Sequence, residues 1–108
     1  MSLWGSLFRD SFWLRRYVSV NARGTETHGE AEQHRCRYEP SHRLVLAADG
    51  RQQVAEASLF TSTEVTVKDL VWPPGADPED IGASRKPRKV ATHRNPLTGR
   101  IDHYEVTL

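Results

Sequence analysis

The chain of 108 residues contains one cysteine, Cys36. An internal disulfide is therefore excluded, and so is any multi-cysteine metal module. This fits a reducing compartment or a particle assembled in cytoplasm. Long apolar runs are also missing. No stretch approaches the ~20 residues that a membrane-spanning helix needs, so no membrane partner is expected. The opening MSLWGSLFRD is too short and too polar for a signal peptide. Neither sign of charge dominates: 15 basic and 14 acidic residues leave a net charge of +1, which by itself calls for neither nucleic acid nor an anionic surface. Catalytic signatures are lacking too. There is no glycine-rich phosphate loop, no nucleophile elbow and no pair of histidines at helical metal-binding spacing. Serines and aspartates are scattered through turn segments, where they serve as turn formers. The chain reads as a non-enzyme that needs no cofactor and no metal.

What is present is one domain's worth of chain, spanning residues 1–108. At 37% hydrophobic residues it can build only a thin core. A subunit that completes its burial against neighbours has this composition, and so does a chain with long exposed loops. At the N-terminus, Leu3, Trp4, Leu7 and Phe8 recur at spacings of three and four. This predicts a short helix over residues 1–10 with one apolar side. Two helical turns are marginal alone, so the segment must dock on its own domain or on a neighbouring protein.

The rest reads as strands. Residues 12–20 predict a strand with Phe12, Leu14, Arg16, Val18 and Val20 on one face. Residues 21–29 are polar with two glycines and predict a loop. Residues 30–38 predict a second strand with Cys36 and Tyr38 inward, stopped by Pro40. The tetrapeptide Ala47-Ala48-Asp49-Gly50 lies between extended runs at 43–46 and 53–61, a strong hairpin signal. This predicts a long projecting hairpin over residues 42–54. Residues 65–72 predict another strand. Four prolines between 73 and 87 predict an irregular crossing. Residues 88–93 and 101–108 predict a terminal hairpin with Asp102, Tyr104, Val106 and Leu108 on the core face. Six or seven short strands with almost no helix point to a mostly β domain, a small antiparallel barrel or sandwich.

Two clusters invite a functional reading. His28, His34, Cys36 and His42 lie close in sequence, but their spacing matches no common zinc module, and Cys36 reads as a small buried hydrophobe. Arg85, Lys86, Arg88 and Lys89 form a basic stretch. It can be a solvated loop, a surface toward an acidic protein partner, or a phosphate contact. The stacking aromatics of single-strand binding are missing nearby.

The order of strands and turns carries a resemblance. An arginine-bearing first strand leads to a corner, Arg37-Tyr38-Glu39-Pro40. A hairpin follows, Arg43-Leu44-Val45-Leu46-Ala47-Ala48-Asp49-Gly50-Arg51. The last strand runs from Gly99 through Tyr104-Glu105-Val106-Thr107-Leu108. From about residue 12 to residue 108 this resembles the head-closure (stopper) proteins of long-tailed bacteriophage necks. The stretch Val71-Trp72-Pro73-Pro74-Gly75 departs from that family's shorter turn.

The resemblance implies a structural virion protein at the head–tail junction, assembled in the host cytoplasm. It implies a homo-oligomeric ring, typically of six subunits, with the portal and adaptor rings above and tail-terminator or tail proteins below. Packaged DNA would be retained in its channel. It also implies that the loop from His42 to Arg51 reaches the channel as a gate, with Arg43 and Arg51 facing DNA or the electronegative lumen around it. Leu3, Trp4, Leu7, Phe8 and the basic stretch would contact partners. The alternatives are a tail-terminator or tail-completion ring protein and a stand-alone nucleic-acid-binding barrel.

Overall fold

A computed structural model describes residues 8–108. The fold is mostly β. Six strands form one antiparallel sheet curled into a half-barrel, in the order β6-β1-β4-β5-β8-β7. They are β1 (Asp10–Arg15), β4 (Glu32–Leu46), β5 (Gln52–Thr61), β6 (Leu70–Trp72), β7 (Lys89–Arg94) and β8 (Ile101–Thr107). A separate two-stranded ribbon joins β2 (Tyr17–Val20) to β3 (Glu26–His28). The helix expected over residues 1–10 falls largely outside the described residues. Of its apolar residues only Phe8 is described; it is buried, and β1 has already begun at Asp10.

The core fills the concave side of the sheet. Phe12 and Leu14 of β1, Cys36 of β4, Ala57 and Leu59 of β5, Val71 of β6 and Val106 of β8 meet there, with Tyr38 and Val90 packed against them. Each comes from a period-2 alternation, the signature of a strand with one buried face. Burying these side chains out of water supplies the main drive to fold.

Three expectations are corrected. The run 12–20 is not one strand. It breaks at Arg16, because the Tyr17 N–H donates to the Asp69 carboxylate (2.8 Å) and not to a ladder partner. Beyond the break, Val18 and Val20 turn outward and are exposed, and the segment expected to be a loop supplies β3 as their partner. Pro40 does not stop its strand either. Tyr38 sends its N–H toward Asp10, on the β1 side (3.2 Å). Two residues on, the nitrogen of Pro40 faces that same side, beyond the first residue of β1, where no described strand offers a ladder partner to lose. Strand β4 therefore runs for 15 residues, with a register shift between Pro40 and Arg43. Finally, only Leu70–Trp72 of the expected strand 65–72 is extended. Residues 66–69 turn under Asp69, which also accepts the Thr66 N–H at 2.8 Å.

The irregular crossing 73–87 closes the curl. Trp72 is fully buried and its Nε1–H donates to the Asp80 carbonyl (2.8 Å), pinning the proline-rich loop. A single 3-10 turn, Ile81–Ala83, follows. Arg85 then exchanges both backbone hydrogen bonds with Val71 on the free side of β6 (2.9 and 2.8 Å). The Arg88 N–H donates to the Thr107 carbonyl of β8 (2.7 Å). One short segment thus bridges both ends of the sheet.

Candidate interaction site

The hairpin between β4 and β5 forms where the Asp-Gly signal places it. Gly50 has φ +85°, a left-handed conformation that a residue with a Cβ adopts only with strain. Its N–H donates to the Ala47 carbonyl (3.0 Å), and the Ala47 N–H donates to the Arg51 carbonyl (2.9 Å). The tip does not stand free. The Ala48 N–H donates to the Arg88 carbonyl (2.8 Å), the Arg88 guanidinium donates to Gln53, and Ala47 is buried. The arms are another matter: Leu44 is 70% exposed and Leu46 61%.

These exposed leucines have a setting. Arg43 to Leu46 face a cleft of about 430 Å³ on the reverse side of the sheet, opposite Lys89, Ala91 and His93 of β7, with Glu105 and Thr107 of β8 between them. Glu105 holds the cleft together: Arg43 lies 3.5 Å and His93 3.3 Å from its carboxylate. Arg43 also donates to the Ser58 hydroxyl (3.0 Å). The His93 ring stacks on His103 with centroids 4.6 Å apart. Arg43 and Lys89 against the one carboxylate leave an unmatched positive charge even with His93 neutral. Lys89 makes no ion pair among the described residues.

The structure therefore brings together two sets of residues that the sequence kept apart, Arg43 to Leu46 of the hairpin and Lys89 of the basic stretch. It separates others. Arg51, Asp49 and His42 are exposed, away from the cleft lining, whereas Arg43 is held against Glu105 and Ser58. Arg43 and Arg51, both expected to face the channel, thus lie in different surroundings. In the basic stretch Arg85 pairs with Glu56 (2.6 Å), Lys86 with Glu26 (2.5 Å), and Arg88 bonds Gln53. Two of its four charges, those of Arg85 and Lys86, are met by carboxylates within the chain. Leu3, Trp4 and Leu7 lie outside the described residues.

Sequence reasoning missed His93, His103, Glu105 and Thr107. Only one face of residues 101–108 was expected to be buried, yet His103 and Thr107 on the other face are buried as well. The signal was the alternation His103, Glu105, Thr107 facing Lys89, Ala91 and His93 across the terminal hairpin. Cys36 is the buried hydrophobe its surroundings suggest. Burial, with a smaller contribution from the Asp10 charge, pushes its thiol up to about 12, so it is protonated at neutral pH. Its neighbour His34 is engaged by Glu32 (2.9 Å). Among the described residues no group of three or more His, Cys, Asp or Glu side chains could hold a metal ion, and no helix is long and apolar enough to cross a membrane.

No protein-family model matches this chain, and no curated protein matches it. The geometry of the cleft and the pattern of strands and turns are what bear on function.

Proposed function

We propose that this chain is a ring-forming structural subunit of a long-tailed phage neck, the head-closure layer that joins head to tail and helps retain packaged DNA. The observation that carries the assembly part of this reading is the hairpin arm. Leu44 and Leu46 are exposed beside a partly charged cleft, and among the described residues the β4 backbone beyond Tyr38 has β5 on one side and no strand on the other. An open strand edge with apolar side chains is a surface made for another chain. The neck part rests on the resemblance. Its three motifs fall within β4, just before its register shift, on the β4–β5 hairpin and on β8.

The role is mechanical. Subunits pack side by side, and the 47–51 turns, small and exposed except at Ala47, narrow the channel. Arg51, exposed and in no ion pair among the described residues, is the loop arginine that would meet DNA. A stand-alone nucleic-acid-binding barrel fits less well, because Arg85, Lys86 and Arg88 are engaged by Glu56, Glu26 and Gln53.

The test is electron microscopy of the purified chain and of assembled necks, together with DNA retention by particles carrying Arg51→Glu or lacking residues 48–50. Rings in the layer that touches the adaptor, and heads that fill but leak in both variants, are expected. A ring found against the tail tube assigns the chain to the tail terminator. A chain that never assembles, or variants that hold DNA as the parent does, end the head-closure reading.

A further inference from the structure

The cleft behind β7 and β8 has an apolar lip, Leu44 and Leu46, and an unmatched positive charge centred on Lys89. Its occupant must therefore be apolar at one point and acidic beside it. The chain itself presents such a surface elsewhere. The crossing after β6 carries Asp77, Glu79 and Asp80, all exposed and none in an ion pair among the described residues, followed at once by Ile81, which is 61% exposed.

This knob is held in shape before any contact. Trp72 anchors the Asp80 carbonyl (2.8 Å) and Asp77 accepts the Glu79 N–H (2.9 Å). The Ala76 N–H donates to the Pro73 carbonyl and the Asp80 N–H to the Asp77 carbonyl (both 3.0 Å). A surface already ordered loses little conformational freedom on docking. Glu79 and Ile81 line a different hollow, with Arg15, His28 and Leu70, and no residue lines both it and the cleft. One copy can thus offer its knob and receive another's at the same time.

We propose that the acidic knob around Glu79 and Ile81 of one copy docks into the Leu44–Lys89 cleft of the next, in a head-to-tail contact. Carboxylates meet Lys89 and the side of Arg43 not held by Glu105, while Ile81 covers Leu44 and Leu46. A contact between two different surfaces propagates, and closes into a ring when the rotation between copies allows it. This rests on the ring reading above and names the surfaces that would build it.

The test exchanges the charges on the full chain. Leu44→Asp with Lys89→Glu makes the cleft acidic; Glu79→Lys with Ile81→Lys removes the knob's net negative charge, two lysines then standing against Asp77 and Asp80, and puts the cations where Glu79 and Ile81 would meet the cleft. All four side chains are exposed, so circular dichroism and melting should match the parent. Sedimentation velocity should show loss of the multimer in each double variant and its return when all four substitutions are combined, because the surfaces are then complementary again. If either double variant keeps the parental mass, or the combined variant stays monomeric, the contact is overturned while ring formation stands. If the parent is itself monomeric at every concentration, both the contact and the ring reading fall. A parental multimer of two copies that stops there overturns the head-to-tail arrangement in favour of a symmetric contact.

Discussion

Asp69 and Trp72 are single residues on which the rest of the fold leans. Asp69 is buried, and its two carboxylate oxygens accept the N–H groups of Tyr17 and Thr66, both at 2.8 Å. Removing the carboxylate leaves two backbone donors without their acceptors, a loss of about 1–3 kcal/mol for each one left buried and unpaired. Asp69→Ala should lower the urea midpoint by that order and loosen the β2–β3 ribbon most. An unchanged midpoint would mean that water replaces the carboxylate at no cost. Trp72 combines full burial with one hydrogen bond to Asp80. Trp72→Ala should cost about 3–5 kcal/mol, in the range for large buried aromatics. Trp72→Phe should cost less but should still free the proline-rich loop, seen as faster hydrogen exchange at the Asp80 amide.

Two elements make separate predictions. The β4–β5 turn needs φ +85° at Gly50, and a Cβ there would meet nothing within 4 Å. The penalty for Gly50→Ala is therefore conformational alone, about 1–2 kcal/mol. A drop in melting temperature with the hairpin register intact by NMR is expected; a register slip would show that the turn, and not the strand pairing, sets the alignment. The β2–β3 ribbon is tied to the closing segment through Glu26 and Lys86. The hydrogen bond from Lys86, first among several nearby cations, holds the Glu26 carboxyl below its ordinary value of 4.5. Glu32 is lowered in the same sense, chiefly by the hydrogen bond from His34. A depressed folded-state pKa contributes stability above the unfolded value and loses it as pH falls through the folded value. The ties on β3 and β4 should hold at pH 6 and weaken progressively below about 4.5. Chemical shifts of the ribbon followed from pH 6 to pH 3 check this, and Glu26→Gln should remove the ribbon's share of the transition.

For the whole molecule, the sheet order makes stability uneven. Strands β1, β4 and β5 have neighbours on both sides at their centres and line the core. Among the described residues the β4 arm beyond Tyr38 has only β5, and the ribbon forms its own small sheet. Regions with few buried apolar contacts open at lower free energy than the core. Native-state hydrogen exchange should therefore be slowest at Leu14, Cys36, Leu59 and Val106. It should be fastest in residues 18–27 and 43–54. Protection of 43–46 that appears only at concentrations where the chain assembles would place that arm in a subunit contact. Equal protection of the arm and the core in a dilute monomer would contradict the open-edge description.

Alternation of apolar and polar residues is a local property, and it determined the β class, the core faces of β1 and β8, and the burial of Cys36. The Asp-Gly pair likewise determined the 47–51 turn, and the run of prolines determined the irregular crossing. These features follow from the conformational preferences of neighbouring residues, so they are legible in order along the chain. The tertiary structure alone decided the rest. The break at Arg16 depends on a hydrogen bond to Asp69, 52 residues away, and the position of Arg43 on one to Glu105, 62 residues away. Whether Pro40 ends a strand depended on β1 beginning only at Asp10, so that among the described residues its nitrogen has no partner to miss. The cleft arises because the bulged hairpin arm comes to lie over the reverse face of β7 and β8. No local pattern records which distant surfaces a curled sheet will bring together.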